Sequence, residues 1–567
     1  MAHGEHVYDV AIIGSGMGGA TLGTILARHG LRVLIFESGV HPRFAVGESM
    51  ILETSETMRA MAELFDVPEL AYFSSEHFFN HVGTSHGVKR HFSYLHHREG
   101  QTQNADHTIQ AVIPKAPHGH ELHIFRQDSD YLMTTTAIAY GATVLQNTPV
   151  KSIAVEAGGV TIETVRGEQY QAAYLVDAGG FRSLLADKFG WRSRELQAHS
   201  RTIFTHMLNV PCYNSVGATR EQYGVPFRFS EGTLHHVFHG GWLWVIPFNN
   251  HARATNPLVS VGLQLDPRIH PLRADLTPEE EFYDFIARFP GIAPQFAEAR
   301  AVRNWTRTER LQYTATQIVG DRCCLLGHAA GFIDPLYSKG LYITLMSTAL
   351  LAHLLLDAHR DGDYSAARFM PLQRLTQRYV AANDRLVANS FKSWSNQRLW
   401  SAYSVQWMLG AYLELVYLIS ARSQARDRHA YFARIDQLQL TGGGFAEFLT
   451  IADWIDTLVE NLDPADETLV TAAVAEIRAR YSAPGWVPQP FKEILNGKKH
   501  LPANKLRLSL FDRDKGFLGS GAYREHFFGQ GSYAELVSFF LRDTLRYATP
   551  TLDVQRRTAF KRTLLHR

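Results

Sequence analysis

Three glycines, Gly14, Gly16 and Gly19, stand at G-x-G-x-x-G spacing between an apolar run, Val10 to Ile13, and a helical pattern from about Gly19 to His29. The next apolar run, Val33 to Phe36, ends in an acid, Glu37. The first glycine permits a tight turn, the second lets a pyrophosphate approach the backbone, and the third lets helix and strand pack closely. The free N–H groups of the helix then face phosphate. A carboxylate at the tip of the second strand is placed to accept ribose hydroxyls. Strand, turn, helix, strand and acid in this order predict a dinucleotide site.

A second set of chemistry-bearing residues lies far along the chain. Cys323 to Leu326 reads as a buried strand, Gly327 and His328 as its turn, and Asp334 as part of a glycine-bounded loop that leads into a long apolar helix after Gly340. An aspartate at such a junction can receive the hydroxyls of a ribityl chain, and the helix N-terminus favours a flavin's pyrimidine edge or an anion. Two distant pieces that converge on one long cofactor point to a flavin rather than a nicotinamide.

Between them, Arg43 precedes Gly47, Glu48 and Ser49 in a loop, with Glu48-Ser49 expected to begin a helix. Arg43 is placed either to face cofactor phosphates or to pair with Glu48. Lys89 lies in a strand-like, aromatic-rich stretch from 76 to 96; such a lysine is a solvent-facing edge residue unless it points into a pocket. Trp242, Trp244 and Ile246 alternate, which puts them on one face of a strand as either core or the wall of a flat pocket. The 28 histidines form no H-E-x-x-H or Cys/His knuckle, so no metal site is expected.

The elements that must position these residues alternate strand and helix in the first half. Asp128 is a candidate cap for a helix from Tyr131 to Tyr140, and Ala157-Gly158-Gly159 turns a hairpin. A strand ending at Val176 delivers Asp177 back to the first sheet. Residues 98–120 are polar and aperiodic and read as a flexible excursion. The expected class is α/β: a Rossmann-type FAD-binding fold, a β-sheet substrate region and a helical C-terminal part. The boundaries are 1–110 and 301–375 for the two cofactor-binding pieces, 111–200 for a mixed segment returning strands to them, 201–300 for the substrate sheet and 376–567 for the helical domain or cap.

Composition narrows the function. Fifty-six Lys and Arg against 55 Asp and Glu leave a net charge of +1, with no basic excess to suggest a nucleic-acid partner. Cys212, Cys323 and Cys324 are too few for a disulfide framework and suit a reducing cytoplasm. No uninterrupted run of about 18 apolar residues predicts a transmembrane helix.

Taken together, GSGMGG (Gly14 to Gly19), PRFAVGES (Pro42 to Ser49), GWLWVIP (Gly241 to Pro247) and DPLYSKG (Asp334 to Gly340) resemble the flavin-dependent halogenases. The glycine motif is shared with many FAD monooxygenases, whereas the W-x-W-x-I-P pattern of Trp242, Trp244, Ile246 and Pro247 is far more specific. The resemblance covers about residues 8 to 375 and is closest to the branch acting on phenolic polyketides, including tetracycline-type halogenases.

The resemblance implies a two-stage reaction. FADH2 from a separate flavin reductase and O2 give a flavin hydroperoxide, chloride or bromide is oxidised to hypohalous acid, and this meets a lysine beside an electron-rich, phenolic ring, free or tethered to a carrier protein. Lys89, in HGVKRHF, is the candidate lysine, with Lys115 as an alternative. Gly14, Gly16, Gly19, Glu37, Arg43, Gly47, Glu48, Ser49, Arg126, Asp334, Pro335 and Gly340 are implied to hold FAD. Trp242, Trp244, Ile246 and Pro247 form the substrate or tunnel wall, and Ser338, Lys339 and Gly340 bind halide. Tryptophan halogenases carry a glutamate before the serine of the DPL motif; Tyr337 stands there, which argues against free tryptophan. His123 or His206 is a candidate base for a phenol. The alternatives are an FAD aromatic hydroxylase using NAD(P)H, a non-enzymatic flavoprotein, and a geranylgeranyl-reductase-like enzyme.

Overall fold

The computed structural model describes residues 8–73, 77–115, 118–502, 521–529 and 531–547. Its first sheet is parallel at the centre. Tyr8–Ile13 lies between Val33–Phe36 and Gln169–Asp177, with Thr143–Leu145 beyond the former and Cys323–Leu325 beyond the latter. The central strands are continuous apolar runs because both faces are covered. The hairpin Val150–Glu156 and Gly159–Thr164 continues the sheet through Gln169–Asp177. Asp177 thus ends beside Ile13, its carboxylate accepting from Gly179 N, Ser183 Oγ and Leu185 N.

The second, nine-stranded sheet carries the other wall of the molecule. Its central ladder runs Arg201–Leu208, Val259–Leu265, Gly241–Pro247, Thr233–Phe238, His91–His96 and Thr108–Val112. Thr108–Val112 lies within the stretch expected to be a flexible excursion; its Thr108 and Gln110 are buried polar residues that hide the strand pattern from a hydropathy reading. A C-terminal strand, His500–Leu501, pairs with it, so the region expected to be helical also contributes to this sheet. A separate two-stranded ladder joins Gly87–Lys89 to Glu121–His123.

Two further local expectations are corrected. The helix after the PRFAVGES loop starts at Leu52, not at Glu48-Ser49; Ser49 instead bridges His123. Asp128 does not cap its helix, which begins at Arg126, and bonds Ser85 from within the first turn.

Helix Lys339–Asp361 is long and apolar enough, by length and composition, to cross a membrane. It is packed against Met17–Arg28, Leu52–Leu64 and Ala366–Ser393, and most of its residues are buried in this core. Helices Ala366–Ser393, Gln397–Gln424 and Ala446–Asn461 form the centre of the C-terminal region. Leu545 to Pro550 reads in the sequence as a helix end running into a proline stop; helix Tyr533–Tyr547 reaches the last described residue, and the proline lies outside the described residues.

The opening turn shows why its spacing is strict. A Cβ on Gly19 would lie 2.0 Å from the Gly14 carbonyl oxygen, and one on Gly14, whose φ is +95°, would lie 2.6 Å from that of Ala178. Both obstacles are backbone, which cannot move aside cheaply. Gly19→Ala is therefore expected to lower unfolding stability by about 1–3 kcal/mol and to weaken FAD retention, as measured by thermal unfolding and visible absorbance.

Candidate active site

A cavity of about 760 Å³ opens over the first turn, between the parallel sheet and the face of the second sheet. Gly16 and Gly19 line it, and no side chain among the described residues caps the helix that starts at Met17, so its first-turn N–H groups are left for an anion. Trp242, Trp244 and Ile246 form the opposing wall, as their alternation requires. Pro247 is not on that wall; its carbonyl accepts from or faces the His123 ring at 2.8 Å. Pro335, Ser338 and Gly340 close the inner end. Ser338 has φ +55° and stands as N-cap to the 23-residue helix behind it.

The loop expected to meet a cofactor does line this cavity through Arg43, Gly47, Glu48 and Ser49. Arg126 fastens it: the guanidinium forms a buried pair with Asp130 at 2.8 Å and donates to the carbonyls of Val46 at 2.6 Å and Gly47 at 3.2 Å. Arg43 pairs with Glu37 at 2.8 Å and not with Glu48, whose carboxylate instead meets His206 Nε2 at 2.7 Å. Glu37 also accepts from Ser15 N, Ser15 Oγ and Gly39 N. Its carboxylate is buried behind Arg43, so in this structure the arginine, rather than the expected acid, faces the cavity.

Asp334 is a clearer correction. Its carboxylate accepts from Ser200 Oγ at 2.8 Å and Leu336 N at 3.0 Å, and it lies behind the cavity wall rather than on it. Burial, only partly offset by these donors, pushes the carboxyl up to about 7. Its geometry is that of a loop anchor. His328, read from sequence only as a turn residue, does face the cavity, and its Nε2 is buried close to Gly340 without a hydrogen-bond partner among the described residues. Burial, helped by the charge of Arg126, lowers its pKa to about 4, so the ring is neutral. Nothing in the local sequence distinguishes this histidine from the other 27.

On the other side of the Tyr337 to Gly340 segment lies a second, mostly apolar cavity of about 190 Å³. Phe92, Tyr337 and Trp407 form an aromatic cluster on its wall; Tyr337 stacks on Trp407 at 4.7 Å and its hydroxyl meets Ser390 Oγ at 2.5 Å. Successive residues of the segment face opposite ways: Tyr337 and Lys339 line the small cavity, Ser338 and Gly340 the large one. This four-residue stretch is the partition between them.

Lys339 does not reach a halide position in the large cavity. Its ammonium is buried between Glu53 at 2.6 Å and Glu414 at 3.1 Å, and these carboxylates outweigh desolvation to raise its pKa. Lys89 is equally buried but differently held. Its Nζ donates to the Met50 carbonyl at 2.8 Å and rests 3.2 Å from the centroid of the Phe92 ring, and burial lowers its pKa well below the ordinary lysine value. It is not an edge residue. Phe92 beneath it and Glu121 across the ladder from it both line the small cavity. Lys115 is exposed. His123 contacts the Pro247 carbonyl and Thr233 Oγ1 and His206 contacts Glu48, so neither stands on the small cavity as a base.

A family described as the FAD binding domain matches residues 7–366. Monodechloroaminopyrrolnitrin halogenase of Pseudomonas fluorescens is 44% identical over 429 residues, 75% of each chain. Tetracycline 7-halogenase of Kitasatospora aureofaciens is 45% identical over 408 residues, 71% of this chain and 73% of that one. The crystal structure of halogenase PltM in complex with phloroglucinol and FAD superposes with a TM-score of 0.82 and 33% identity, over 87% of this chain and 99% of that one. The chain belongs to the flavin-dependent halogenases. It is a flavoprotein oxidoreductase, and the hydroxylase, reductase and non-enzymatic readings of the sequence give way.

The Glu37–Arg43 pair carries a pH signature. Burial alone would raise the Glu37 carboxyl, but the charge and hydrogen bond of Arg43, with those of Gly39 and Ser15, hold it at about 2 against an ordinary 4.5. Stabilisation from this pair is complete above the ordinary value and is lost as pH falls toward 2. Arg43→Ala is expected to unfold at a lower temperature than wild type at neutral pH, with the gap narrowing below pH ~4.5. An equal gap across that range in thermal scans would contradict the assignment.

Proposed function

We propose that this enzyme halogenates an electron-rich, phenolic aromatic ring with chloride or bromide, O2 and FADH2 delivered by a separate flavin reductase. The observation that carries the reading is the pair of cavities divided by the Tyr337 to Gly340 segment, with a buried lysine beside the smaller one. The large cavity fits FAD: its uncapped helix N-terminus and its second glycine, with only the Arg43 guanidinium within 4 Å of a built Cβ, leave room and donors for a pyrophosphate. Gly16, Arg43, the loop fastened by Arg126, and Gly340 would hold it. Bound there in its reduced form, FAD would activate O2, the oxidant that converts halide to hypohalous acid.

This chain's own residues then determine where that oxidant goes. Trp242, Trp244 and Ile246 exclude water from the cofactor side. The free N–H groups at the start of helix Lys339–Asp361 favour an anion next to Ser338 and Gly340, with Lys339 itself excluded from that role by its two carboxylates. Phe92, Tyr337 and Trp407 offer a flat apolar wall to an aromatic ring. Lys89 is the group that holds the halogen donor beside that ring. Its depressed pKa favours the neutral amine, which can accept a hydrogen bond from hypohalous acid or take up its halogen. A hydroxylase needs its substrate against the flavin ring; a partition between the two cavities calls for a diffusible oxidant, which suits halogenation.

The test uses the full chain with a reductase, bromide and a panel of mono-, di- and trihydroxybenzenes. Wild type is expected to form bromophenols only when halide is present. Lys89→Ala is expected to retain FAD and release hypohalous acid to a soluble trap while losing at least ~100-fold in halogenated product, the scale of a lost acid–base or donor group. Lys339→Met instead leaves two carboxylates buried without their cation and is expected to cost roughly 3–5 kcal/mol of stability, read by denaturant unfolding. Lys89→Ala that halogenates at the wild-type rate would remove Lys89 from the reaction.

A further inference from the structure

Four carboxylates line the small cavity: Glu53, Glu56, Glu121 and Asp543. Three are neutralised by cations. Glu53 meets Lys339 at 2.6 Å, Glu56 meets Arg59 at 2.9 Å and Arg422 at 2.6 Å, and Asp543 meets Arg422 at 2.7 Å and His118 at 2.8 Å. Glu121 has no ion pair among the described residues. One of its oxygens accepts from the Ser55 hydroxyl, and no donor among the described residues bonds the other. A buried carboxylate without a cation is costly to keep, and such groups concentrate where a charge is used.

We propose that Glu121 is the general base of the aromatic pocket, accepting the proton of a substrate ring hydroxyl while Lys89 holds the halogen donor against the same ring. The inference rests on the halogenase reading and assigns its substrate class: rings bearing a hydroxyl that a wall carboxylate can reach. Lys89 and Glu121 are directly opposed in the antiparallel ladder Gly87–Lys89 and Glu121–His123, so their side chains share one face as neighbours. Glu121 stands on the cavity wall with Phe92 and Tyr337, and the Lys89 ammonium lies directly behind that wall, 3.2 Å from the centroid of the Phe92 ring. No glutamate precedes the serine of the DPL motif in this chain, because Tyr337 holds that place and bonds Ser390. The carboxylate on this pocket comes from a different strand.

The reaction balances without another reagent. As the hydroxyl proton passes to Glu121, electron density on the ring oxygen is released to the ortho or para carbon, which attacks the halogen of hypohalous acid. The C–X bond forms and the O–X bond breaks, its electron pair staying on oxygen. That oxygen takes a proton and leaves as water. Loss of the proton from the halogenated carbon restores aromaticity and the hydroxyl is reprotonated, so that ArH and HOX become ArX and H2O. The ring is oxidised by two electrons and the halogen is reduced from +1 to −1.

The groups facing Glu121 set its titration. Burial raises its carboxyl above the ordinary range; Ser55, Arg59 and Lys89 pull it down and Glu53 pushes it up. The net direction brings a carboxylate closer to neutral pH, where a general base is most effective. The charged form is the active one, so halogenation should fall on the acid side of that titration.

The experiment is Glu121→Gln, which keeps the shape and an acceptor for Ser55, with Glu121→Asp as the conservative partner, using the same hydroxybenzene panel. FAD absorbance and trapped hypohalous acid are expected to be unchanged in both. Glu121→Gln is expected to lose about 10²-fold or more in kcat/KM. It should also lose the acid limb of the pH profile and recover for a phenol acidic enough to be ionised in the assay; Glu121→Asp should restore part of the rate. Wild-type rates in Glu121→Gln with the acid limb intact would overturn this inference alone. So would a loss that is equal for ionised and un-ionised phenols. A wild-type enzyme that forms no hypohalous acid from reduced FAD, O2 and bromide would overturn the underlying reading and this inference with it.

Discussion

The ion cluster around Lys339 is the constraint on which the two-cavity arrangement depends. An ammonium removed from water is tolerated only when it is paired and hydrogen-bonded, and Lys339 has two carboxylates from two different helices. Glu53 comes from Leu52–Leu64, which follows the cofactor loop, and Glu414 from Gln397–Gln424 in the C-terminal region. Glu414 is also held by the Tyr342 hydroxyl at 2.8 Å and Thr441 N at 3.0 Å. Lys339 begins the long core helix, so the cluster fixes the start of that helix against both neighbours. The side chain can point only to the small-cavity side, and backbone alternation then sends Ser338 and Gly340 to the other. The partition is thin because one stretch of chain serves both walls.

Two lysines lie buried near that partition and the difference between them is electrostatic. Lys339, between carboxylates, is a permanent cation with a structural task. Lys89 has a carbonyl and a ring face, which desolvate it without fully compensating its charge. Cation–π contact with Phe92 stabilises the ammonium by about 2 kcal/mol when desolvated, less than burial costs it. A lysine whose pKa burial lowers is the more useful of the two to an electrophilic halogen, and Glu121 opposite it is displaced from its ordinary pKa in the complementary direction.

What could be read from sequence follows from how local each determinant is. The G-x-G-x-x-G turn is legible because its spacing is set within one βαβ unit, Gly19 packing on the Gly14 carbonyl, and the tryptophan alternation is legible because a strand has period two. Direction across the fold was not. Asp334 occupies the junction expected of it, yet it points at Ser200, 134 residues earlier. Lys339 belongs to the expected halide motif, yet its length carries the ammonium away to Glu53, 286 residues earlier. Glu121 sits between His120 and Leu122 in a stretch whose polarity masks a strand, and its meaning comes entirely from the lysine it faces across the ladder. The strand at 108–112 was hidden for the same reason, since Gln110 is buried by bonding Ser93 and the Phe227 backbone.

The far end of the small cavity separates chemistry from selectivity. Arg422 is buried among Glu56, Glu63 and Asp543, and through Asp543 it joins helix Tyr533–Tyr547 to helix Leu52–Leu64. Such networks add little net stability, because desolvation offsets attraction, but they penalise any misplacement that leaves one charge alone. The network therefore fixes the position of Phe540 and Asp543 on the cavity wall. Trp407, Met408, Val416 and Leu501 complete that wall, and all of these residues lie beyond the matched FAD-binding region, which ends at 366. The residues that would handle FAD and oxidant come from the first two-thirds of the chain, whereas the wall offered to the ring is shared: Phe92, Glu121 and Tyr337 come from that part, and Trp407, Met408, Val416, Leu501 and Phe540 from the last third. Repacking of the C-terminal share of this wall can then alter the outline met by the ring, with the Lys339 partition and the Lys89–Glu121 ladder left as they are.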